Sequence, residues 1–293
     1  MLVNLKEIFR YANKHNIAVG AFNVPTLQML KAVLISAEKK NMPVIIQHTE
    51  GHNNYISMEE VLTISKYYAD KSSVMVCVHL DHGLSFESCK KAIDLGFTSV
   101  MFDGSMLDYE ANVDISKSVV DYASRFDVTV EAELGFMLNS DIGAGEGLFV
   151  GDAKYAYTNP NQALDFVKRT GVDCLAIAAG TVHGLYLTEP NLNLEVIKEI
   201  SNLVKIPLVL HGGSGLKRQE YTQAIQNGIR KINYYTYMNK AGGDAIKSYF
   251  NQSDDYLFFD ELSLVAQEAM IENVSDFMDI LNMERDNYEN SSL

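Results

Sequence analysis

The stretch VMVCVHLDHG, which runs from Val74 to Gly83, decides the fold of this chain. It begins with five consecutive apolar residues and ends in a cluster of polar and charged ones. A continuous apolar run of this length is typical of a strand that is covered on both faces of a parallel sheet. The polar end of such a strand is where α/β barrels place their chemistry, so this stretch predicts both a buried strand and a site.

Seven other runs of strand length share this apolar character, and they are Ile17 to Val24, Met42 to Thr49, Ser99 to Gly104, Val128 to Gly135, Cys174 to Gly180, Ile206 to Gly212 and Lys231 to Thr236. Helical periodicity separates them, as in Thr26 to Lys40 and Asn112 to Arg125. Gly96, Gly171 and Gly228 each lie between a helical stretch and the next strand, where helices commonly end in a left-handed glycine. Eight such repeats predict an α/β chain that forms a single (β/α)8 TIM barrel over residues 1–293.

One connection, Phe136 to Asn159, is longer than the others and contains four glycines. A long glycine-bearing loop after a strand end is typical of a lid, so we expect residues 136–159 to close over the site. The segment from about Leu262 to Met283 predicts one or two closing helices, and Asn287 to Leu293 is expected to fray.

The charge and cysteine content of the chain limit the kinds of partner and compartment that it fits. The chain has 24 basic and 38 acidic residues, a formal net charge of −14. This sign disfavours nucleic-acid binding, which relies on neutralising phosphates. Three cysteines without a CxxC pair, and charged residues that interrupt the first twenty positions, predict a cytoplasmic protein without a membrane segment.

Polar residues collect at the predicted strand ends, which meet at one mouth of a barrel. His82, His183 and His211 are three imidazoles at three such ends, a set that suits a catalytic zinc ion with an open position. Hydrogen-bonded structural histidines are the alternative. Asp81 is a candidate acid or base, or a carboxylate that orients a histidine.

Two further carboxylates and a glycine-rich turn extend this set. Asp103 and Glu133 could supply a second, oxygen-rich metal position or accept salt bridges. The turn Gly212 to Gly215 precedes a helical stretch, Leu216 to Ile225, and turns of this kind bind phosphate through backbone N–H groups.

Five motifs in order along the chain resemble those of one enzyme family, and they are AFNV at Ala21 to Val24, HLDHG at His79 to Gly83, EAELG at Glu131 to Gly135, GTVHGLY at Gly180 to Tyr186 and LHGGSG at Leu210 to Gly215. They resemble the class II, zinc-dependent ketose-bisphosphate aldolases, which include fructose- and tagatose-bisphosphate aldolases. The resemblance extends to about Met270. It implies reversible aldol cleavage of a phosphorylated ketose to dihydroxyacetone phosphate and an aldehyde, a role in carbohydrate metabolism such as glycolysis, and a homodimer or homotetramer.

The resemblance also implies residue roles. Zinc would be held by His82, His183 and His211, and Asp81 would transfer the proton at the scissile bond. Asp103 and Glu133 would form an alternative position for the metal, for a second divalent ion or for a monovalent cation. The residues assigned to the substrate are Thr49, Gly184, Gly212, Gly213, Ser214, Asn233 and Thr236.

The chain departs from the family pattern at three places, of which the first is the stretch after the first strand, Pro25 to Gln28. After Lys231, Ile232 and Asn233, the family usually has aspartates where this chain has Tyr235 and Tyr237. The lid usually carries a catalytic glutamate, for which the closest match here is Glu146 and the second is Asp141.

These departures leave two alternatives to an ordinary ketose-bisphosphate aldolase. One is an aldolase relative with a different donor or acceptor specificity, such as a substrate with one phosphate. The other is a metal-binding, non-catalytic assembly subunit.

Overall fold

Eight parallel strands close into a barrel in the computed structural model, which describes residues 1–135, 138–139, 157–184, 192–252 and 258–283. The barrel strands are β1 Val19–Asn23, β2 Val44–Thr49, β3 Val76–Gly83, β4 Ser99–Phe102, β5 Thr129–Leu134, β7 Cys174–Ile177, β9 Leu208–Leu210 and β10 Ile229–Asn233. Two short strands, β6 Leu138–Asn139 and β8 Val182–His183, pair with each other outside the barrel. The predicted TIM barrel is therefore confirmed.

Helices follow every barrel strand, and α1 precedes the first. Their bounds are α1 Leu5–His15, α2 Leu27–Lys40, α3 Met58–Ala69, α4 Phe86–Leu95, α5 Tyr109–Ala123, α6 Pro160–Thr170, α7 Leu194–Val204, α8 Arg218–Gln226, α9 Thr236–Gln252 and α10 Phe259–Asn282, with a 3₁₀ turn at Glu50–His52. Short polar side chains begin several of them, since Thr26 accepts from the backbone of Met29 and Ser57 forms a capping box with Glu60.

Glycines end two helices as the sequence predicts. Gly96 (φ 102°) follows α4 and Gly171 (φ 73°) follows α6, and both backbones are left-handed. Gly228 (φ 118°) is also left-handed but lies one residue beyond the cap of α8.

The barrel closes where β1 pairs with β10, so the first and last barrel strands are neighbours. Ala21 lies beside Asn233 on one side and beside Ile45 of β2 on the other. Every residue of β1, β2, β3 and β5 is buried, as expected for strands of a parallel sheet that are covered on both faces.

Two predicted strand ends lie three residues beyond the observed ends. The last strand ends at Asn233, and Thr236 begins α9 instead of ending the strand. The aromatic run Tyr234 and Tyr235 mimics a strand, but Tyr234 is buried by stacking on Phe277 of α10. The strand that begins at Cys174 stops at Ile177 and does not reach Gly180.

A bulge in β3 sets the direction of its polar end. Leu80 pairs with Val100, and Gly83 pairs with Phe102. β3 therefore advances three residues over a stretch in which β4 advances two, so β3 contains one extra residue. His82 takes a left-handed conformation at this point, with φ 48°. The bulge lets consecutive residues, Asp81 and His82, both face the mouth of the barrel, which regular alternation would prevent.

The predicted lid lies mostly outside the described residues, as do Asn287 to Leu293. The C-terminal segment forms one long helix, α10, which begins three residues before the predicted Leu262. Among the described residues, no helix is both long and apolar enough to cross a membrane.

Candidate active site

The candidate metal residues of β3, β4 and β5 meet at the mouth. Nδ1 of His82 lies 2.7 Å from Oδ2 of Asp103 and 4.0 Å from Oε2 of Glu133. Ser105 donates its backbone N–H to the other oxygen of Asp103 at 3.0 Å. Burial raises the pKa of the Asp103 carboxyl, but His82 and these donors outweigh that effect and hold the pKa below its usual range.

His211, directly after β9, completes this group from the opposite side. Its ring lies 4.8 Å from that of His82, and its Nδ1 is 3.4 Å from Oε2 of Glu133. Its Nε2 lies 2.9 Å from Oε1 of Glu131. Burial lowers the pKa of His211, but the two carboxylates outweigh that effect and raise the pKa to about 9.

These donors fit a divalent metal ion. Two sets, Asp81 with His82 and His211, and His82 with Asp103 and Glu133, each place one ligand atom per residue within 4.8 Å of the others. Oε2 of Glu133 is buried and accepts no hydrogen bond from any residue that the structure describes. A buried carboxylate oxygen in that condition is costly unless a cation binds it, and imidazole with carboxylate is a common zinc donor set.

His183, the third predicted ligand, lies in β8, whose backbone pairs with β6. Its side chain is outside the described part of the chain. Its role as a ligand therefore stays a prediction.

Asp81 is held by an amide clamp, the side chains of Asn23, Gln47 and Asn233. Asn23 donates to Oδ2 at 2.8 Å, while Gln47 and Asn233 donate to Oδ1 at 3.0 and 3.1 Å. The three clamp residues lie on β10, β1 and β2, which are neighbours in the barrel where its first and last strands pair. Three donors fix both the position of the carboxylate and its role as an acceptor.

The charge of Asp81 follows from its neighbours. Burial raises the pKa of this carboxyl, but its Coulombic interactions with His82 and Lys231 outweigh that effect and hold the pKa well below its usual range. Asp81 is therefore a buried carboxylate beside the candidate metal residues.

The turn after β9 forms a close backbone cradle. Gly212 has φ 60°, and a Cβ placed there would lie 2.3 Å from the carbonyl oxygen of Val182. A Cβ on Gly213 would lie 2.4 Å from the side chain of Ile232. Ser214 accepts a hydrogen bond from the backbone of Tyr235 at 3.1 Å, which ties this turn to the end of β10. Neither of these two glycines has room for a side chain, so the backbone N–H groups of the turn can contact an anion directly.

The remaining predicted substrate residues lie around the same mouth. Thr49 is buried at the end of β2, beside Asp81 in register. Gly184 is buried with φ 92°, and Thr236 begins α9. Glu146 and Asp141 lie outside the described residues.

The tyrosines after β10 have three different surroundings. Tyr234 stacks on Phe277 and bonds Asn273 of α10. Tyr235 approaches the ring of the buried His52 at 5.1 Å, and its hydroxyl accepts from Asn239. Tyr237 lies against the turn at Gly215, where a Cβ would meet its ring at 2.8 Å. Tyr237 thus borders the cradle with its ring and Tyr235 with its backbone, while Tyr234 belongs to the core.

Some residues of the site have roles that the sequence did not predict. Asn23 and Gln47 were not assigned to Asp81, and Glu131 and Lys231 were not assigned to His211. A signal exists in each case, since a polar residue lies within or at the end of a predicted buried strand, as Gln47 does in VIIQHT. Such a residue must find a partner inside the barrel.

An eight-stranded barrel with imidazole and carboxylate donors at its carboxyl mouth defines the class of protein, a TIM-barrel enzyme with a candidate metal centre. The chain belongs to the class II fructose-bisphosphate aldolase family, whose model matches residues 3–286. Members of this family are generally metal-dependent carbon–carbon lyases, and the protein is accordingly a lyase.

Individual relatives agree with the family. A fructose-bisphosphate aldolase of Geobacillus stearothermophilus is 43% identical over 238 residues, which is 80% of this chain and 81% of that protein. The structure of the YdjI aldolase from Escherichia coli K12 superimposes with a TM-score of 0.84 at 35% identity, covering 96% of this chain and 97% of that one. A putative fructose-1,6-bisphosphate aldolase from Coccidioides immitis gives 0.81 at 27% identity, with 96% and 97% covered.

Proposed function

We propose that the protein is a zinc-dependent aldolase that reversibly cleaves a phosphorylated ketose to dihydroxyacetone phosphate and an aldehyde. The observation that carries the proposal is the clamped Asp81 beside the histidine and carboxylate cluster. In cleavage, Asp81 accepts the proton of the C4 hydroxyl, and in condensation it returns that proton. The amide clamp keeps the carboxylate in place while its charge changes.

His82, His211 and His183 would hold the zinc ion, and Asp103 with Glu133 would offer an alternative position or bind a second cation. Bound zinc supplies a Lewis acid for the ketone oxygen and so stabilises the enediolate. A Schiff-base route through Lys231 is disfavoured, because its Nζ donates to both oxygens of Glu131 at 2.8 and 3.0 Å.

The cradle supports a phosphate at the dihydroxyacetone end of the substrate. Gly184, Gly212, Gly213 and Ser214 would present backbone and hydroxyl donors, with Asn233, Thr236 and Thr49 nearby. Glu146 of the lid is proposed to move the C3 proton, and Asp141 is the second candidate.

Proton exchange tests this function without knowledge of the aldehyde. Zinc-loaded protein should exchange buffer deuterium into dihydroxyacetone phosphate, as followed by NMR. A chelator should abolish the exchange and added zinc should restore it. Full exchange in metal-free protein contradicts the mechanism, and no exchange in zinc-loaded protein favours the non-catalytic alternative.

A second candidate function, favoured by Tyr235 and Tyr237, is aldol cleavage with an altered sugar preference. The ring of Tyr237 borders the cradle and the backbone of Tyr235 bonds Ser214 within it, at positions where the family usually has carboxylates. Fructose 1,6-bisphosphate would then be cleaved slowly or undetectably, while exchange into dihydroxyacetone phosphate persists. Robust cleavage of that bisphosphate contradicts this candidate.

We further propose a cytoplasmic homodimer or homotetramer that takes part in carbohydrate metabolism such as glycolysis. The three cysteines are free and buried, in keeping with a reducing compartment. Light scattering should give two or four times the chain mass of 32.7 kDa.

A further inference from the structure

A buried ion pair spans the interior of the barrel beneath the candidate metal residues. Lys231 of β10 and Glu131 of β5 are both fully buried, and Nζ lies 2.8 and 3.0 Å from the two carboxylate oxygens. Strands β7 and β9 separate these two strands in the sheet, so the contact crosses the interior of the barrel. The pair is therefore part of the packed interior layer.

Stability alone does not explain this pair. Moving two charges out of water is costly, and well-packed apolar residues of similar volume are often equally or more stabilising. Barrel interiors are usually filled by branched apolar side chains. A buried lysine and glutamate at such positions therefore call for a role besides packing.

The geometry around Oε1 of Glu131 indicates that role. This atom lies 3.0 Å from Nζ of Lys231 and 2.9 Å from Nε2 of His211. The ammonium donates to both carboxylate oxygens, so Glu131 is an acceptor and Nε2 of His211 must donate. A neutral imidazole that donates from Nε2 has its lone pair on Nδ1. That atom lies on the side of Glu133 and His82.

The other oxygen of Glu131 faces different groups. Sγ of Cys174 lies 3.7 Å from Oε2, and Nε2 of His79 lies 3.6 Å from it. Both are longer than the contact between Glu131 and His211. The short contacts of this carboxylate are thus divided between one lysine and one candidate metal ligand.

We propose that Glu131 is a positioning residue, held by Lys231, that fixes the orientation and tautomer of His211 so that Nδ1 and not Nε2 binds the metal. This inference rests on the proposed function, because it assigns a role toward the proposed zinc ion. Partners of this kind typically change metal affinity by about 10- to 100-fold when removed.

Two double variants isolate the acceptor while avoiding an unpaired buried charge. Glu131→Gln with Lys231→Met keeps an oxygen that can accept from Nε2, whereas Glu131→Met with Lys231→Met removes it. We expect the first to bind zinc within about threefold of the unmodified protein and the second to bind about 10- to 100-fold more weakly. Competition with a chromophoric chelator measures both affinities, and the visible spectrum of bound Co²⁺ reports the ligand geometry.

The control is an ion pair away from the site, Lys40 with Asp279, whose atoms lie 2.7 Å apart. Lys40→Met with Asp279→Asn should change thermal stability but not zinc affinity. Circular dichroism of the metal-free variants separates a folding defect from a loss of metal binding.

A second measurement observes the unmodified protein, and the variant His211→Asn serves only to assign the signal. In zinc-loaded protein labelled with ¹⁵N-histidine, the signal that is missing from His211→Asn should show a proton on Nε2 and metal on Nδ1. Metal on Nε2 overturns the inference, as do equal zinc affinities of the two double variants. If these results occur while zinc-dependent proton exchange is intact, the proposed function stands. If the unmodified protein binds no zinc, both fall.

Discussion

Replacing Asp81 by the uncharged asparagine tests the proposed proton transfer separately from metal binding. Asp81→Asn should lower kcat/KM for aldol cleavage by about 10²- to 10⁴-fold, the usual contribution of a general base. Zinc content should be unchanged, because the proposed ligands are the histidines. Steady-state kinetics and metal analysis together check this, with Asp94→Asn on the exposed surface of α4 as the control.

The opposite outcome is an Asp81→Asn variant that keeps substantial turnover. Retention of more than about a tenth of kcat/KM in Asp81→Asn would assign the proton transfer to another group. Thermal unfolding should accompany the kinetics, because the new amide nitrogen faces donors of the clamp.

Tyr235 is the residue at which we expect specificity to change. Tyr235→Asp should shift the ratio of kcat/KM values toward fructose 1,6-bisphosphate by more than about tenfold, or roughly 1.4 kcal/mol. Tyr234→Phe is the matched control, since that ring packs on α10 and loses only a bond to Asn273. Equal ratios of kcat/KM values in both variants would mean that Tyr235 does not determine sugar specificity.

The sequence predicts residue chemistry better than residue partnership. His82, Asp103, Glu133 and His211 follow from polar residues at strand ends, and the structure brings their side chains together. The clamp on Asp81 could not be predicted, because its members lie 34 to 152 positions away from Asp81 in the sequence. Their contact depends on the register and closure of the barrel, which no local pattern encodes.

The turn between β9 and α8 is the element that we expect to hold phosphate. Gly212→Ala should raise the KM for dihydroxyacetone phosphate in the exchange assay by about tenfold or more, equivalent to roughly 1.4 kcal/mol. The added Cβ would lie 2.3 Å from a backbone oxygen, so the cradle must move.

Gly96→Ala is the matched control for this change. Gly96 is also left-handed, but its Cβ would meet only the flexible end of Lys66, at 2.8 Å. We expect a loss of about 1–2 kcal/mol of stability from backbone strain, with an unchanged KM. A KM that rises equally in both variants would indicate a general effect of strain.

Elements were predicted well where burial and periodicity agree. The eight strands all occur in the closed barrel, and most of their residues are buried. The end of the last strand was wrong because buried aromatic residues look alike in a strand and against a helix. The bulge at His82 has no signal in composition, although it decides how Asp81 and His82 share the mouth.

Stability of the whole molecule should depend on pH through His52. Burial, with a smaller effect of His48, lowers the pKa of this imidazole to about 4 from 6.5. Between these values the unfolded chain binds a proton that the folded chain does not. The free energy of unfolding should therefore fall as the pH is lowered through this window, by up to about 1.4 kcal/mol per pH unit.

Urea unfolding at about pH 7, 6 and 5 measures this dependence. His52→Gln should reduce the slope by up to one proton, whereas His15→Gln, at an exposed position, should leave it unchanged. Identical slopes in all three proteins would mean that His52 is not the group responsible.

The amide clamp is complete only after the last barrel strand has been synthesised. Asn23 and Gln47 leave the ribosome early, but Asn233 belongs to the last barrel strand, which closes against β1. A polypeptide released before β10 lacks the strand that closes the barrel and one of the three donors to Asp81. We therefore expect products of interrupted translation to be inactive, so that activity in a translation mixture reports only the chains extended past Asn233.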